Sequence, residues 1–180
     1  MPKNDNAHAV RLRESLEKHG HEAVARELAE SCPLSKTADI EKKFRWAQRV
    51  CAVLEAHLDE AEIMAVRRAC RCNDGKANAQ RLLKYTRKAA SVEAFVRAFN
   101  QGETFASLEY VSERELLLCY PQCYCGCVKR VPHPLSRTWC YCTLDNAQGM
   151  LEAVFGPDVR VTLLETIKSG AQRCTIRVEW

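Results

Sequence analysis

Apolar residues recur every three or four positions through the first hundred residues and every second position near the end of the chain, so helices are expected first and strands later. Ile40, Phe44, Ala47, Val50 or Cys51, Leu54 and Leu58 hold the helical interval longest. They predict an amphipathic helix from Asp39, near its N-terminus, to about His57. Ile63, Val66 and Cys70 carry the rhythm on to a break at Asn73, Asp74 and Gly75. Two shorter amphipathic stretches precede this helix. One starts near Ala7 and is interrupted at Gly20; the other runs from His21 to Ser31 and is closed by Pro33. Leu82, Leu83 and Thr86 mark a further helix, and Ser91 caps one carrying Val92, Phe95 and Phe99 before Asn100 and Gly102 end it.

The period then shortens. Phe105 to Val111 and Glu115 to Tyr120 read as short strands, and Asp145 to Phe155 suits a helix that stops before Gly156 and Pro157. Val159, Val161 and Leu163 alternate with Arg160 and Thr162; Cys174, Ile176, Val178 and Trp180 alternate with Arg173, Thr175, Arg177 and Glu179. Lys168 to Ala171 joins these two strands as a hairpin turn. The expected class is α+β, a helical N-terminal half packed on a C-terminal antiparallel sheet with one intervening helix. Residues 1–102 form the helical region and 103–180 a cysteine-rich α+β domain, the two making one compact unit.

At 180 residues the chain can bury a sizeable core. It opens without an apolar leader and contains no run approaching the roughly 18 apolar residues of a membrane helix, so a soluble, cytoplasmic protein is expected. Its net charge of +4 is unevenly placed. Arg67, Arg68, Arg71, Lys76, Arg81, Lys84, Arg87 and Lys88 face only Asp74 among the acidic residues of that stretch. A solvated helix face explains the run, and attraction to nucleic acid or an anionic ligand is the alternative.

Eleven cysteines, an odd number, argue against a closed disulfide framework. Six lie between Cys119 and Cys142. Cys123, Cys125 and Cys127 fall within five residues, and Cys140 and Cys142 lie across a loop broken by Pro132 and Pro134. Thiolates that bind a metal must converge, and zinc, or less readily an iron–sulfur centre, takes four such ligands. Gly126 would allow the backbone turn that aims them. Cys70 and Cys72 repeat the one-residue spacing at a helix end and could complete the site. Arg68 and Arg71 beside them would favour the thiolate. Cys32 and Cys51 have no sulfur neighbour in sequence and read as core.

Trp139-Cys140-Tyr141-Cys142-Thr143-Leu144-Asp145, a helix, a strand, then Glu165 to Gly170 and Cys174 resemble the C-terminal part of the 4-vinyl reductase domain superfamily. The likeness is greatest to the branch of L-2-amino-thiazoline-4-carboxylate hydrolase-like proteins and their cysteine-rich relatives. The matching positions are Cys142 with Asp145, and Gly170 with Cys174. The resemblance covers about Phe105 to Trp180 and implies a compact domain with a small-molecule pocket. It also implies zinc held by Cys140 or Cys142, Cys174 and Glu165, although the cysteine expected after the glutamate is missing at Thr166 and Lys168.

Three classes of function follow. The first is a cysteine-rich zinc or thiol-redox protein that binds a small ligand without catalysis. The second is a thiol-dependent hydrolase of a small C–N bond, with His133 as base and Asp145 or Glu165 to orient it. The third is a nucleic-acid-associated regulator using the basic helix, against which the absence of a recognisable helix-turn-helix counts.

Overall fold

The computed structural model describes residues 4–72 and 75–180; the expected break at Asn73 and Asp74 lies outside the described residues. The helical rhythm of the N-terminal hundred becomes α1 (Ala7–Lys18), α2 (Glu22–Ser31), α3 (Ile40–His57), α4 (Glu60–Arg68), α5 (Lys76–Thr86) and α6 (Val92–Gly102). Asp39 caps α3 by accepting the N–H of Lys42 at 2.8 Å. The apolar rhythm past Leu58 does not prolong α3. Leu58 is extended, and Asp59 starts a new helix with a reciprocal box. Its carboxylate accepts the N–H of Glu62 at 2.8 Å while the Glu62 carboxylate accepts the N–H of Asp59 at 2.9 Å. Two orphan donors are satisfied at once, so the chain gains by restarting there.

The strands are β1 (Ser107–Ser112), β2 (Glu115–Tyr120), β3 (Arg160–Glu165) and β4 (Cys174–Glu179), with α7 (Cys142–Phe155) between β2 and β3. They form one sheet of order β1-β2-β4-β3 in which every neighbouring pair is antiparallel. The fold is α+β. Leu116 lies opposite Val178 and Leu118 opposite Ile176, which in turn face Val161 and Leu163. This period-two register puts six apolar side chains on one buried face. Gly170, at φ +103°, makes the turn before β4.

By its internal contacts the chain divides into two units, each discontinuous in sequence. The first comprises Met1–Cys72 and Tyr124–Cys142; the second comprises Asn73–Cys123 and Thr143–Trp180. In the first, α1 packs on α2 and α4, and a short 3-10 turn, Arg137–Tyr141, packs on α3 and α4. In the second, α6 lies on β1, and aromatic rings tie the helices to one another and to the chain end. Phe95 meets Phe99 and Phe155, and Phe155 stacks on Trp180 with centroids 3.8 Å apart. Among the described residues no helix is long and apolar enough to cross a membrane.

α5 begins at Gly75, which has φ +74°, and a Cβ there would come within 2.9 Å of the Asn146 carbonyl oxygen on α7. Gly20, with φ +81°, has open space around the same position. Gly20→Ala should therefore cost only the left-handed backbone penalty, about 1–2 kcal/mol. Gly75→Ala should cost that plus displacement of α7. Urea denaturation of the two variants measures the difference; equal losses would show that the close approach contributes nothing.

Candidate functional site

The first unit is organised around Arg67, which is only 3% exposed although a guanidinium cannot lose its charge in a protein. Its position on α4, four residues after Ile63 and three before Cys70, puts it on the apolar face. One NH2 group donates to the Trp139 carbonyl at 2.7 Å, and the guanidinium carbon lies 4.3 Å from the centroid of the Trp139 ring. Burial works against the cation. The charge that Cys142, Cys70, Cys51 and Cys125 carry when ionised outweighs it and holds the pKa of Arg67 above its usual value; at neutral pH Cys125 is the one of the four that carries this charge. Trp139 is fixed edge-on against Trp46, with centroids 5.6 Å apart.

The segment that supplies Trp139 also supplies the Cys125 sulfur. After Tyr124 the chain turns so that the N–H groups of Val128 and Lys129 bond the Cys125 carbonyl at 3.2 and 3.0 Å. The segment is held to α3 by Ser136 donating to Glu55 and to α4 by Tyr141 donating to Glu60 at 2.6 Å. The Trp139 indole N–H, a donor with no acceptor capacity, points at the sulfur of Cys125 at 3.4 Å. The Cys127 thiol and the N–H groups of Cys127 and Val128 donate to the same sulfur. These donors, the Cys127 thiol foremost, outweigh burial and bring the Cys125 thiol down to about 5, so it is a thiolate at neutral pH. Cys127 moves the opposite way: it donates to that thiolate and is fully buried, so its own proton is held.

The remaining thiols near Arg67 stay protonated. Burial pushes both Cys51 and Cys142 up to about 12 and raises Cys70, whose thiol donates to the Val66 carbonyl at 3.3 Å. Cys142 donates to the Trp139 carbonyl at 3.6 Å. Cys72 is exposed, its sulfur 4.0 Å from His8 Nδ1, and its pKa is raised by burial and then by the Cys125 charge. Cys70, Cys72, Cys125, Cys127 and Cys142 thus lie within one electrostatic neighbourhood. Cys140, half-buried, lies in the 3-10 turn between them. Cys123 and Cys174 belong to the second unit, where Cys174 accepts the N–H of Ile167 at 3.4 Å. Cys51 is core; Cys32 is half-exposed, bonded to the Leu28 carbonyl.

The model of a family described as "Family of unknown function (DUF6144)" matches residues 3–179. The chain belongs to that family. No curated protein matches it. Similar solved structures include an H-NOX protein from S. oneidensis in its Fe(II) ligation state, with 13% identity and a TM-score of 0.46 over 97% of this chain and 95% of that one. The same protein's Fe(II)NO state gives 13% identity and 0.45 over 97% and 98%. The H-NOX domain of Shewanella oneidensis in its Fe(II)CO state gives 14% and 0.44 over 97% of each chain. Likenesses this distant transfer neither cofactor nor ligand.

Several expectations are corrected. The family match runs through both halves of the chain, and the similar structures are H-NOX domains, not 4-vinyl reductase domains. The short motifs behind that resemblance have local causes: Gly170 takes a left-handed turn, and Cys142 opens α7 beside Trp139. Zinc and an iron–sulfur centre are overturned as well. Among the described residues no group of three or more His, Cys, Asp or Glu side chains is arranged to hold a metal ion. The physical reason is Arg67, a fixed cation standing where the thiols converge. The reading as a cysteine-rich zinc or thiol-redox protein falls with it, and all eleven cysteines are free thiols. The hydrolase triad does not assemble within a unit. His133 is exposed, its ring 6.3 Å from Phe44 in the first unit, whereas Asp145 and Glu165 belong to the second and Glu165 accepts from Thr175 at 2.6 Å. The basic run is not one face either: Arg67 is buried in the first unit and Arg81, in the second, lies over the Phe105 ring.

Sequence placed Arg67 in a basic run and Trp139 at the head of a family-like motif, and assigned neither of them a role in organising the cysteines. Their signals were present: an arginine in phase with an apolar stripe, and a tryptophan directly before a cysteine pair.

Replacing Arg67 by Met should cost about 3 kcal/mol, because the Trp139 carbonyl loses its donor and the Cys125 charge its cation. Urea denaturation measures this, and a loss under about 0.5 kcal/mol would rule out the guanidinium as the organising group. Cys125 has a folded pKa below its unfolded value, so its stabilising contribution is complete above the unfolded pKa, near 9, and is lost as pH falls through about 5. His8, lowered to about 4 chiefly by burial, adds a loss between its unfolded value of 6.5 and 4. Cys51 and Cys142, raised to about 12, reduce stability as pH rises past 9. Stability should accordingly rise from pH 5 to 9 and decline beyond. In Cys125→Ser the rise between pH 6.5 and 9 should flatten.

Proposed function

We propose that this protein is a small-ligand sensor that captures its ligand covalently on Cys125, the ligand being a soft carbon electrophile. The observation that carries this reading is the Trp139 indole N–H directed at the sulfur of half-exposed Cys125 at 3.4 Å, beside the Cys127 thiol and the backbone N–H groups that help hold the Cys125 thiol down to about 5. A thiolate, not a thiol, is the nucleophile, and here it is prepared before any ligand arrives. The next residue, Gly126, is exposed, and a Cβ built on it meets no heavy atom within 4 Å outside its chain neighbours.

The chemistry balances without an oxidant. A sulfur electron pair forms the S–C bond; with an alkyl halide the halide leaves with its bonding pair. With a conjugate acceptor the π pair moves to the α-carbon, which takes a proton from water. The thiolate becomes a neutral thioether. Arg67 then loses one compensating charge, and the Trp139 indole and two N–H groups are left facing a poor acceptor. A chemical event at one sulfur thus becomes a change in the packing energy of the whole unit.

Iodoacetamide with peptide mass spectrometry tests this. The higher thiolate fraction of Cys125 outweighs the lower nucleophilicity of a low-pKa sulfur, so at pH 6 it should be alkylated about tenfold faster than the exposed Cys72. Its rate should have a midpoint near pH 5. Cys127, Arg67, Cys72 and Cys142 are the titratable groups that share its field. Cys125→Ser should abolish the fast phase, Gly126→Trp should slow it, and alkylation should lower the Tm. Labelling of Cys125 no faster than that of Cys72 would overturn the proposal.

A further inference from the structure

We infer that the cleft between the end of α2 and the start of α3 is a second, non-covalent ligand site, which takes a small organic monoanion: a flat apolar body bearing one carboxylate. The cleft measures about 550 Å3, inside the roughly 300–1,000 Å3 of small-molecule sites, and the residues bordering it all belong to the first unit. Cys125 does not border it, so the inference stands whether or not that sulfur captures an electrophile.

The walls are built before any ligand arrives. Pro33 has no N–H with which to prolong α2, so the chain leaves the helix and crosses to Asp39 as a loop. The residues before α1 hold that loop. The Asn6 N–H and side-chain amide donate to the carbonyls of Leu34 and Ser35 at 3.0 and 3.3 Å. The side chain of Asn4 accepts the N–H of Leu34 at 3.0 Å, and that of Asp5 accepts the N–H of Lys36 at 2.7 Å. On the helical side Trp46 is buried and braced by Trp139. Pro33, Leu34 and Ala38 complete an apolar lining with it.

The charge at the cleft is one-sided. No aspartate or glutamate borders it, whereas Lys42 and Arg45 do, spaced to share one face of α3. Lys42 is already engaged, its Nζ lying 3.6 Å from the carboxylate of Asp39. Among the described residues Arg45 forms no ion pair. One cation is therefore left over, which suits a monoanion. A phosphate dianion would instead seek the helix N-terminus, where the Asp39 carboxylate already accepts the N–H of Lys42. Ser35 and Thr37 spend one hydroxyl proton on each other across 3.0 Å, which leaves the other to donate. A guanidinium fork matches a carboxylate in shape and charge, and the apolar lining suits an aromatic body.

Equilibrium dialysis of the whole chain at low ionic strength tests this with three probes: 2-naphthoate, its neutral amide, and acetate, which has the charge without the body. 2-Naphthoate should bind with a sub-millimolar Kd, about tenfold tighter than either of the others. Arg45→Gln should bring it down to the level of the amide, and Lys42→Gln should weaken it less, because Asp39 already holds part of that charge. Ala38→Trp should fill the cleft and abolish binding of all three, with circular dichroism checking that each variant folds. Cys32, half-buried at the rim, reports the location: bound 2-naphthoate should slow its labelling by N-ethylmaleimide, read by peptide mass spectrometry. Absence of 2-naphthoate binding at millimolar concentration, equal affinity of acid and amide, undiminished binding in Arg45→Gln, or unchanged Cys32 labelling would each overturn the assignment.

Discussion

A guanidinium that cannot be neutralised has been put where water does not reach, and the arrangement of the first unit follows from that. Taking Arg67 out of water costs several kcal/mol unless its donors and charge are answered locally. The answers are the Trp139 carbonyl, the face of the Trp139 ring and the negative charge on Cys125. Each constrains something else. The carbonyl fixes the 3-10 turn, the ring wedges against Trp46, and the indole N–H, held in place by the same ring, finds the Cys125 sulfur. One residue, Trp139, therefore joins the cation to the thiolate by three of its own groups.

Two cysteines separated by a single glycine acquire opposite acidities because the backbone turn between them is asymmetric. The N–H groups after Gly126 converge on the first sulfur, and the second is carried into the core as a donor. Such a pair keeps one proton between two sulfurs over a wide range of pH. The nearby histidine adds no charge of its own, since burial and three cations keep it neutral. The thiols of Cys51, Cys70 and Cys142 act here as protonated, polarisable lining.

Much of the framework was legible in the sequence. The reading of Glu115 to Tyr120 as a short strand matches β2 residue for residue, period-two alternation located β4 to within one, and Asp39 and Ser91 were recognisable as caps. The split between α3 and α4 was missed because apolar phase continues through it, although Asp59 and Glu62 spell a capping box. The cluster was half visible. Cysteine density pointed to convergence, and Cys72 feels the charge of Cys125. What density cannot reveal is the group at the centre. Arg67 belonged, in sequence, to a run of basic residues that looked solvated, and only the pairing of α4 with a segment some seventy positions later turns it inward. The likeness to another superfamily failed for a related reason. A glycine four residues before a strand cysteine is demanded here by a left-handed turn and by an N–H directed at that sulfur.

The alternation of the two units along the chain bears on the order in which the protein can be assembled. During synthesis α1 to α4 emerge first, yet the carbonyl that answers Arg67 lies 72 positions further on. Until that stretch leaves the ribosome, the helical set cannot bury its arginine without stranding a charge, so it gains by leaving that side hydrated and loosely closed. Local helices form early, and the decisive closure waits for a long-range contact, the kind whose loop entropy slows folding. At five to twenty residues per second the delay is several seconds. For that interval the nascent chain carries its cysteines and its cation in water, and the acidity of Cys125 does not yet exist: it is a property acquired at the last step of folding.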